Sequence, residues 1–163
     1  MVPQRTITGN RREDYDLLLR QAQELWEGDL PLHSNLANIS ALLKQYLDLT
    51  NWVGFYLWNA MRSELVLGPF QGLPACTRIG LGKGVCGTAV STRATQLVPD
   101  VHAFPGHIAC DSASNSEIVV PILRRGTFLG VLDVDSPNLG RFDTTDQLGL
   151  EKLVGVLVPL WPA

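Results

Sequence analysis

The chain has 163 residues, 45% apolar and 18% charged, with 13 Lys and Arg against 16 Asp and Glu for a net charge of −3. That length suits a single domain over residues 1–163, and a chain so apolar and so weakly charged is not a disordered one. Arg11-Arg12 and Arg124-Arg125 are only pairs, so no basic run offers a footprint for nucleic acid or an anionic membrane.

The leading stretch Met1 to Asp14 carries charges and lacks the apolar segment of a secretory signal. The longest apolar run, Leu153 to Trp161, is broken by Pro159 and falls well short of the roughly 18 residues a membrane span needs. Three cysteines with no CxxC pair argue for reduced thiols in the cytoplasm rather than a disulfide scaffold.

Apolar residues at helical spacing, Leu18, Ala22, Leu25 and Trp26, predict a first helix over 12–28. Ser34 is placed to cap a second, whose stripe is Leu36, Ile39, Leu43, Tyr46 and Leu47. Trp52 to Trp58 is aromatic and branched, as a strand should be, and Glu64 to Leu67 can pair with it across the turn at 59–63. From Gly68 to Ser116 regular pattern nearly disappears, although a short helix over 84–92 fits. Segments this long and irregular inside a compact domain are usually functional or disordered, and Phe70, Leu73, Val85, Val90, Phe104 and Ile108, the expected anchors to the body, favour the functional reading.

Order returns with two branched runs, Glu117 to Leu123 and Thr127 to Asp135, which make a hairpin around Arg124-Arg125-Gly126. A last helix runs from about Thr144 to Val158. Helices, strands, a long insert, a hairpin and a helix add up to an α+β domain with an antiparallel sheet.

The hairpin carries unusual chemistry. Asp133 and Asp135 are two apart and share a face with Leu129 and Val131. A three-residue loop pairs Leu123 with Thr127 and sets Glu117 opposite Asp133. Like charges placed so are destabilising, and a sheet under no other demand has no reason to gather them. The plain alternative is that this face points to water. If the face is half-buried, a crowded carboxyl group holds its proton near neutral pH and can donate it to a ligand oxygen, while ionised neighbours suit an ammonium.

Cys76, Cys86 and Cys110 all fall in the irregular stretch. Each is open to the reading of a small buried hydrophobe. Cys86 sits in the first turn of the expected helix over 84–92, where the dipole lowers a thiol pKa, and Cys110 lies between His107 and Asp111. An attacking thiol with a resolving partner fits the odd count. Zinc on His102, His107 and Cys110 with Cys76 or Cys86 is the weaker reading, because the usual CxxC or HxxxH spacings are missing. The GxGxxG match over 82–87 follows no buried strand and opens no βαβ unit, so it does not mark a dinucleotide site. Trp52 and Tyr56 share a strand face as ordinary core or as an aromatic wall for a methyl-bearing group.

Several segments together resemble one family, the free methionine-(R)-sulfoxide reductases, which are single GAF domains. They are Asn51-Trp52-Val53-Gly54-Phe55-Tyr56, Leu67-Gly68-Pro69-Phe70-Gln71-Gly72, Gly84-Val85-Cys86-Gly87-Thr88-Ala89 and Asp100-Val101-His102. Further along come Gly106-His107-Ile108-Ala109-Cys110-Asp111, Asn115-Ser116-Glu117 and Gly130-Val131-Leu132-Asp133-Val134-Asp135-Ser136. The resemblance runs from about Ser34 to Val158.

It implies a central six-stranded antiparallel sheet flanked by helices, a homodimer, and reduction of the free R sulfoxide. By position, Cys110 is the catalytic thiol, Cys76 the resolving thiol and Cys86 a second redox candidate. Glu117, Asp133 and Asp135 would bind the sulfoxide and amino end, and Trp52 with Tyr56 the methyl group. A sulfenic acid on Cys110 would pass to a disulfide that thioredoxin or another dithiol reduces, with no bound metal or cofactor. The rival function is a GAF module sensing a small molecule or cyclic nucleotide without catalysis.

Overall fold

The computed structural model describes residues 8–163, so the reading of the first seven residues lies outside it. Helix α1 (Arg11–Leu25) opens on Asn10, whose side chain accepts from the Arg12 N–H. It stops short of residue 28 because Trp26 is already extended. Helix α2 (Leu32–Tyr46) begins before the expected Ser34 cap. Pro31 holds the cap position at φ −57°, and proline's fixed φ suits a helix entrance. The expected stripe on α2 is buried in full.

Strands β1 (Trp52–Asn59) and β2 (Glu64–Gln71) form a hairpin, with β2 running four residues past the expected end at Leu67. The irregular stretch then holds β3 (Arg78–Gly80), α3 (Gly84–Thr92) and β4 (Gln96–Val98), followed by β5 (Ser116–Arg124), β6 (Thr127–Ser136) and α4 (Thr144–Leu157). The sheet order is β3-β2-β1-β6-β5-β4, antiparallel throughout. This is the α+β arrangement expected. Among the described residues no helix is long and apolar enough to cross a membrane.

The β5–β6 register differs from the expected one. Arg124 pairs with Thr127, so the turn has two residues, and Arg125 and Gly126 both take positive φ (50° and 81°). That is the mirror-image turn whose twist matches a hairpin. A bulge between Ile122 and Leu123 then moves the register again. Glu117 therefore lies opposite Asp135, and Asp133 lies opposite Val119. The bulge also sends Leu129 to the helix side of the sheet, away from Val131. Gly130 sits at this point because a Cβ there would run into the Tyr56 carbonyl oxygen.

The two sheet faces are unlike. One presents Val53, Phe55, Ile118, Val120, Ile122, Leu132 and Val134 to the three long helices. The other carries Trp52, Tyr56, Val119 and Val131 beneath α3, which contributes Val85, Cys86, Ala89 and Val90. Of the expected anchors, Val85 and Val90 are buried and Phe70 and Phe104 pack partly, whereas Leu73 and Ile108 are exposed. They lie near Cys76 and Cys110, both half-buried.

Candidate active site

The α3 face of the sheet ends in a small pocket that Trp52, Tyr56, Cys86, Cys110, Glu117, Asp133 and Asp135 all line. Its acidic floor comes from adjoining strands. Asp135 pairs with Trp52 across β1 and with Glu117 across β5, and Asp133 pairs with Gly54. The face does not point to water, since Glu117 and Asp133 are each 6% exposed. Gly54 leaves no spare volume, because Phe70 and Trp52 fill the space a side chain there would need. Trp52 stacks on Phe70 and on Tyr56, with centroids 5.1 and 5.8 Å apart. An aromatic wall thus stands beside the acids.

The wall also holds the loop that carries Cys76. The Tyr56 hydroxyl donates to the Cys76 carbonyl at 3.0 Å, and Trp52 Nε1 donates to the Leu73 carbonyl at 3.2 Å. Cys76 is bonded to Cys110, with Cα atoms 5.4 Å apart and a sequence separation of 34. Both are half-buried, so this disulfide, whose Cys110 lines the pocket, stays within reach of solvent. Cys86 remains a free, buried thiol.

Burial decides the protonation of the cluster. It pushes Glu117 well above its ordinary value, with Asp133 and then Asp135 adding repulsion. It raises Asp135 in the same way, with Asp133 and Asp111 contributing and the Ser114 hydroxyl partly opposing. Asp133 is raised to about 6, held down by hydrogen bonds from Cys86, Glu117 and the Val134 N–H. Asp133 Oδ1 is nevertheless buried without a hydrogen-bond partner. A buried carboxyl oxygen without a partner is costly, and Asp133 lines the pocket together with Glu117 and Asp135.

Cys86 departs from expectation. Its place in the first turn of α3 holds, but the thiol pKa rises, through burial first and then through Asp133 and Glu117. Desolvation and like charge outweigh the helix dipole. Its Sγ lies 3.9 Å from Glu117 Oε1.

Donor atoms of Cys86, Glu117 and Asp133 fall within 4.8 Å of one another. Metal ligands must be deprotonated, and burial disfavours the charged form of all three groups. The zinc set weighed from sequence does not gather among the described residues, since Cys76 and Cys110 are spent on each other. His107, whose pKa is lowered by burial and by His102, sits 4.0 Å from Glu117.

Lys83, His107, Asp111 and Ser114 also line the pocket and were not singled out as ligand-binding residues in the sequence. The GHIACD motif pointed at two of them, but only the folded loop turns them inward. The glycines of the GxGxxG match serve the turn into α3. The Gly82 N–H donates to the Gly87 carbonyl at 2.9 Å, and a Cβ on Gly87 would strike the Gly80 carbonyl.

A six-stranded antiparallel sheet with its pocket under a short helix defines the class. The chain belongs to the GAF-domain family, whose model matches residues 31–157. Within it the chain belongs to the free methionine-R-sulfoxide reductases, which are oxidoreductases. The free methionine-R-sulfoxide reductase of Escherichia coli is 51% identical over 148 residues, covering 91% of this chain and 88% of that one. The X-ray structure of the Neisseria meningitidis enzyme in complex with its substrate superposes with a TM-score of 0.92 at 44% identity, covering 98% of this chain and 95% of that one. A putative GAF sensor protein from Burkholderia vietnamiensis is 57% identical with a TM-score of 0.87, covering 91% of this chain and 94% of that one.

Proposed function

We propose that this protein reduces free methionine-(R)-sulfoxide to methionine, with Cys110 as the attacking thiol. The observation that carries the reading is the Cys76–Cys110 disulfide, whose Cys110 lines a pocket floored by the buried Glu117 and Asp133 and the half-buried Asp135. In the reduced chain the Cys110 thiolate attacks the sulfoxide sulfur while a protonated carboxyl group of the Glu117, Asp133 and Asp135 cluster donates to the oxygen. The oxygen then passes to the Cys110 sulfur as the sulfoxide S–O bond and the transient bond between the two sulfurs break, so methionine leaves and Cys110 is left as a sulfenic acid. The Cys76 thiol displaces it as water, giving the disulfide seen. The two electrons come from the two thiols. A dithiol such as thioredoxin returns them by exchange at the half-exposed bond.

The aromatic wall of Trp52 and Tyr56 suits the ε-methyl and sulfur, a contact favourable by ~1 kcal/mol. The ionised members of the cluster suit an ammonium, which a residue inside a peptide lacks. Cys86, buried and pushed toward its protonated form, supports the cluster rather than acting as the first resolving thiol. The family resemblance supports a homodimer in the cytoplasm as the working form. A phosphate-bearing ligand, as a cyclic-nucleotide sensor needs, would be repelled by the three acids.

The test is a reductase assay on free and N-acetylated sulfoxide epimers with each cysteine changed to serine. Only the free R epimer is consumed, Cys110→Ser is inactive, and Cys76→Ser releases one methionine per chain before stalling without added thiol. Full activity in Cys110→Ser rejects the assignment.

A further inference from the structure

Asn51 stands at the entrance to β1 and takes no part in the pocket lining, yet its amide spans two elements of the site. Its backbone N–H donates to the Asp135 carbonyl at 3.0 Å, which locks it to the acidic end of β6. Its Nδ2 donates to Asp111 Oδ2 at 2.8 Å and to Ser114 Oγ at 3.0 Å. Asp111 adjoins Cys110 in sequence and also accepts from the Ala113 N–H at 2.8 Å. The Ser114 hydroxyl reaches Asp135 in turn. One side chain thereby ties the residue after the attacking thiol to the strand that carries two of the acids.

The orientation of that amide is forced. Turned over, its oxygen would face the Asp111 carboxylate, and a carboxylate only accepts. In the orientation adopted, Asn51 Oδ1 is buried without a hydrogen-bond partner. Folding alone would avoid that loss. Among the described residues the backbone bonds nearest Cys110 are local to its loop, the Cys110 N–H to the Ile108 carbonyl at 3.0 Å and the His107 N–H to the Phe104 carbonyl at 3.2 Å, while the His107 ring approaches the sheet with Nε2 4.0 Å from Glu117 Oε2. Past Asp111 and Ser114, the loop next meets β6 where the Asn115 N–H donates to the Ser136 carbonyl at 2.8 Å.

We propose that Asn51 is the positioning residue that keeps Cys110 over the acidic cluster after the Cys76–Cys110 bond is reduced. The inference rests on the assignment of Cys110 as the attacking thiol. In the oxidised chain the disulfide fixes Cys110 from one side and Asn51 fixes its neighbour from the other. Reduction removes the first tether at the moment the thiol must meet substrate, and the Asn51–Asp111 bond remains. Attack geometry is sensitive to displacements of an ångström, so loss of the latch slows the chemical step more than it weakens binding.

The pair can be swapped. Asn51→Asp sets two carboxylates against each other, Asp111→Asn leaves one accepting oxygen where Asn51 Nδ2 and the Ala113 N–H each use one, and the double variant restores an amide–carboxylate pair at unchanged net charge. The measurement is methionine release in a single turnover by the fully reduced, full-length protein with free methionine-(R)-sulfoxide, together with the substrate dissociation constant. Each single variant is expected to slow release by about tenfold or more with a change in dissociation constant below about threefold, and the double variant to recover to within about threefold of wild type. Asn51→Ser, too short to reach both partners, gives the same loss should Asn51→Asp fail to fold.

Single variants that release methionine at the wild-type rate overturn the proposal, and so does a double variant no faster than the slower single. An active Cys110→Ser would instead sink the underlying assignment. An inactive Cys110→Ser beside unimpaired Asn51 variants sinks the latch alone.

Discussion

Asparagine in place of Asp133 should make the folded protein more stable at neutral pH while it loses activity. Burial lifts the Asp133 carboxyl from 3.8 to about 6, so between those values the folded chain keeps a proton that the unfolded chain has released. For a group raised on folding, stability is fully present below the unfolded value, falls as the pH rises toward the folded one, and stays low above it. A shift of about two units at about 1.4 kcal/mol each places the loss at about 3 kcal/mol at neutral pH. The amide has the same shape and no charge to desolvate, and it relieves Glu117 of its strongest neighbouring repulsion. Urea unfolding of the oxidised protein at pH 4 and pH 7.5 is the assay. Asp133→Asn should gain up to about 3 kcal/mol at the higher pH and nothing at the lower one, with kcat/KM reduced by about a hundredfold. A variant no more stable than wild type at pH 7.5, or a gain equal at both pH values, refutes the reasoning.

The disulfide makes a second stability test. Closing a loop of 34 residues restricts the unfolded chain by about 4 kcal/mol. Reducing the protein, or making Cys76→Ser, should lower the melting temperature by about 10 °C in a chain of this size. An unchanged melting temperature would show that the loop is already constrained in the unfolded ensemble. Gly130→Ala should cost about 1–3 kcal/mol, because its Cβ meets the backbone of Tyr56 and Leu57 and must push β6 from β1. Denaturant midpoints measure that loss, and a midpoint equal to wild type would mean that the two strands part without cost.

The helix stripes and the strands from β1 to β2 and β5 to β6 were legible because hydrophobic periodicity reports burial directly. Strands β3 and β4 were not, since three residues each carry no readable alternation. The hairpin is instructive because two errors left the site intact. The sequence predicts a three-residue loop with no bulge, whereas Arg125 adopts a left-handed conformation that arginine rarely takes, and the bulge at Ile122–Leu123 shifts the pairing again. Together these slide Glu117 from Asp133 to Asp135, a step of two. Side chains alternate with period two, so the acids still share one face, while Leu129, the residue the bulge leaves unpaired, changes face. The Cys86 thiol was misjudged for a different reason. Helix position is visible in sequence, but the depth of burial that outweighs the dipole depends on which strands lie beneath.

The acids can be concentrated on one face because stability is supplied by the other. Three helices pack the apolar residues of β1, β5 and β6 on one side of the sheet. Each strand, through its alternation, presents its next residue to the pocket. Val134 is buried in that core, and its neighbours Asp133 and Asp135 stand on the acidic floor. Ile118 is likewise core, and its neighbour Glu117 completes the floor. The backbone that makes the carboxyl groups close neighbours is therefore held by contacts the carboxyl groups do not make. Repulsion among them can raise their proton affinity without prying the strands apart. A chain that spread the same three acids over exposed loops would let them separate and ionise, and the proton needed at the sulfoxide oxygen would be lost to water.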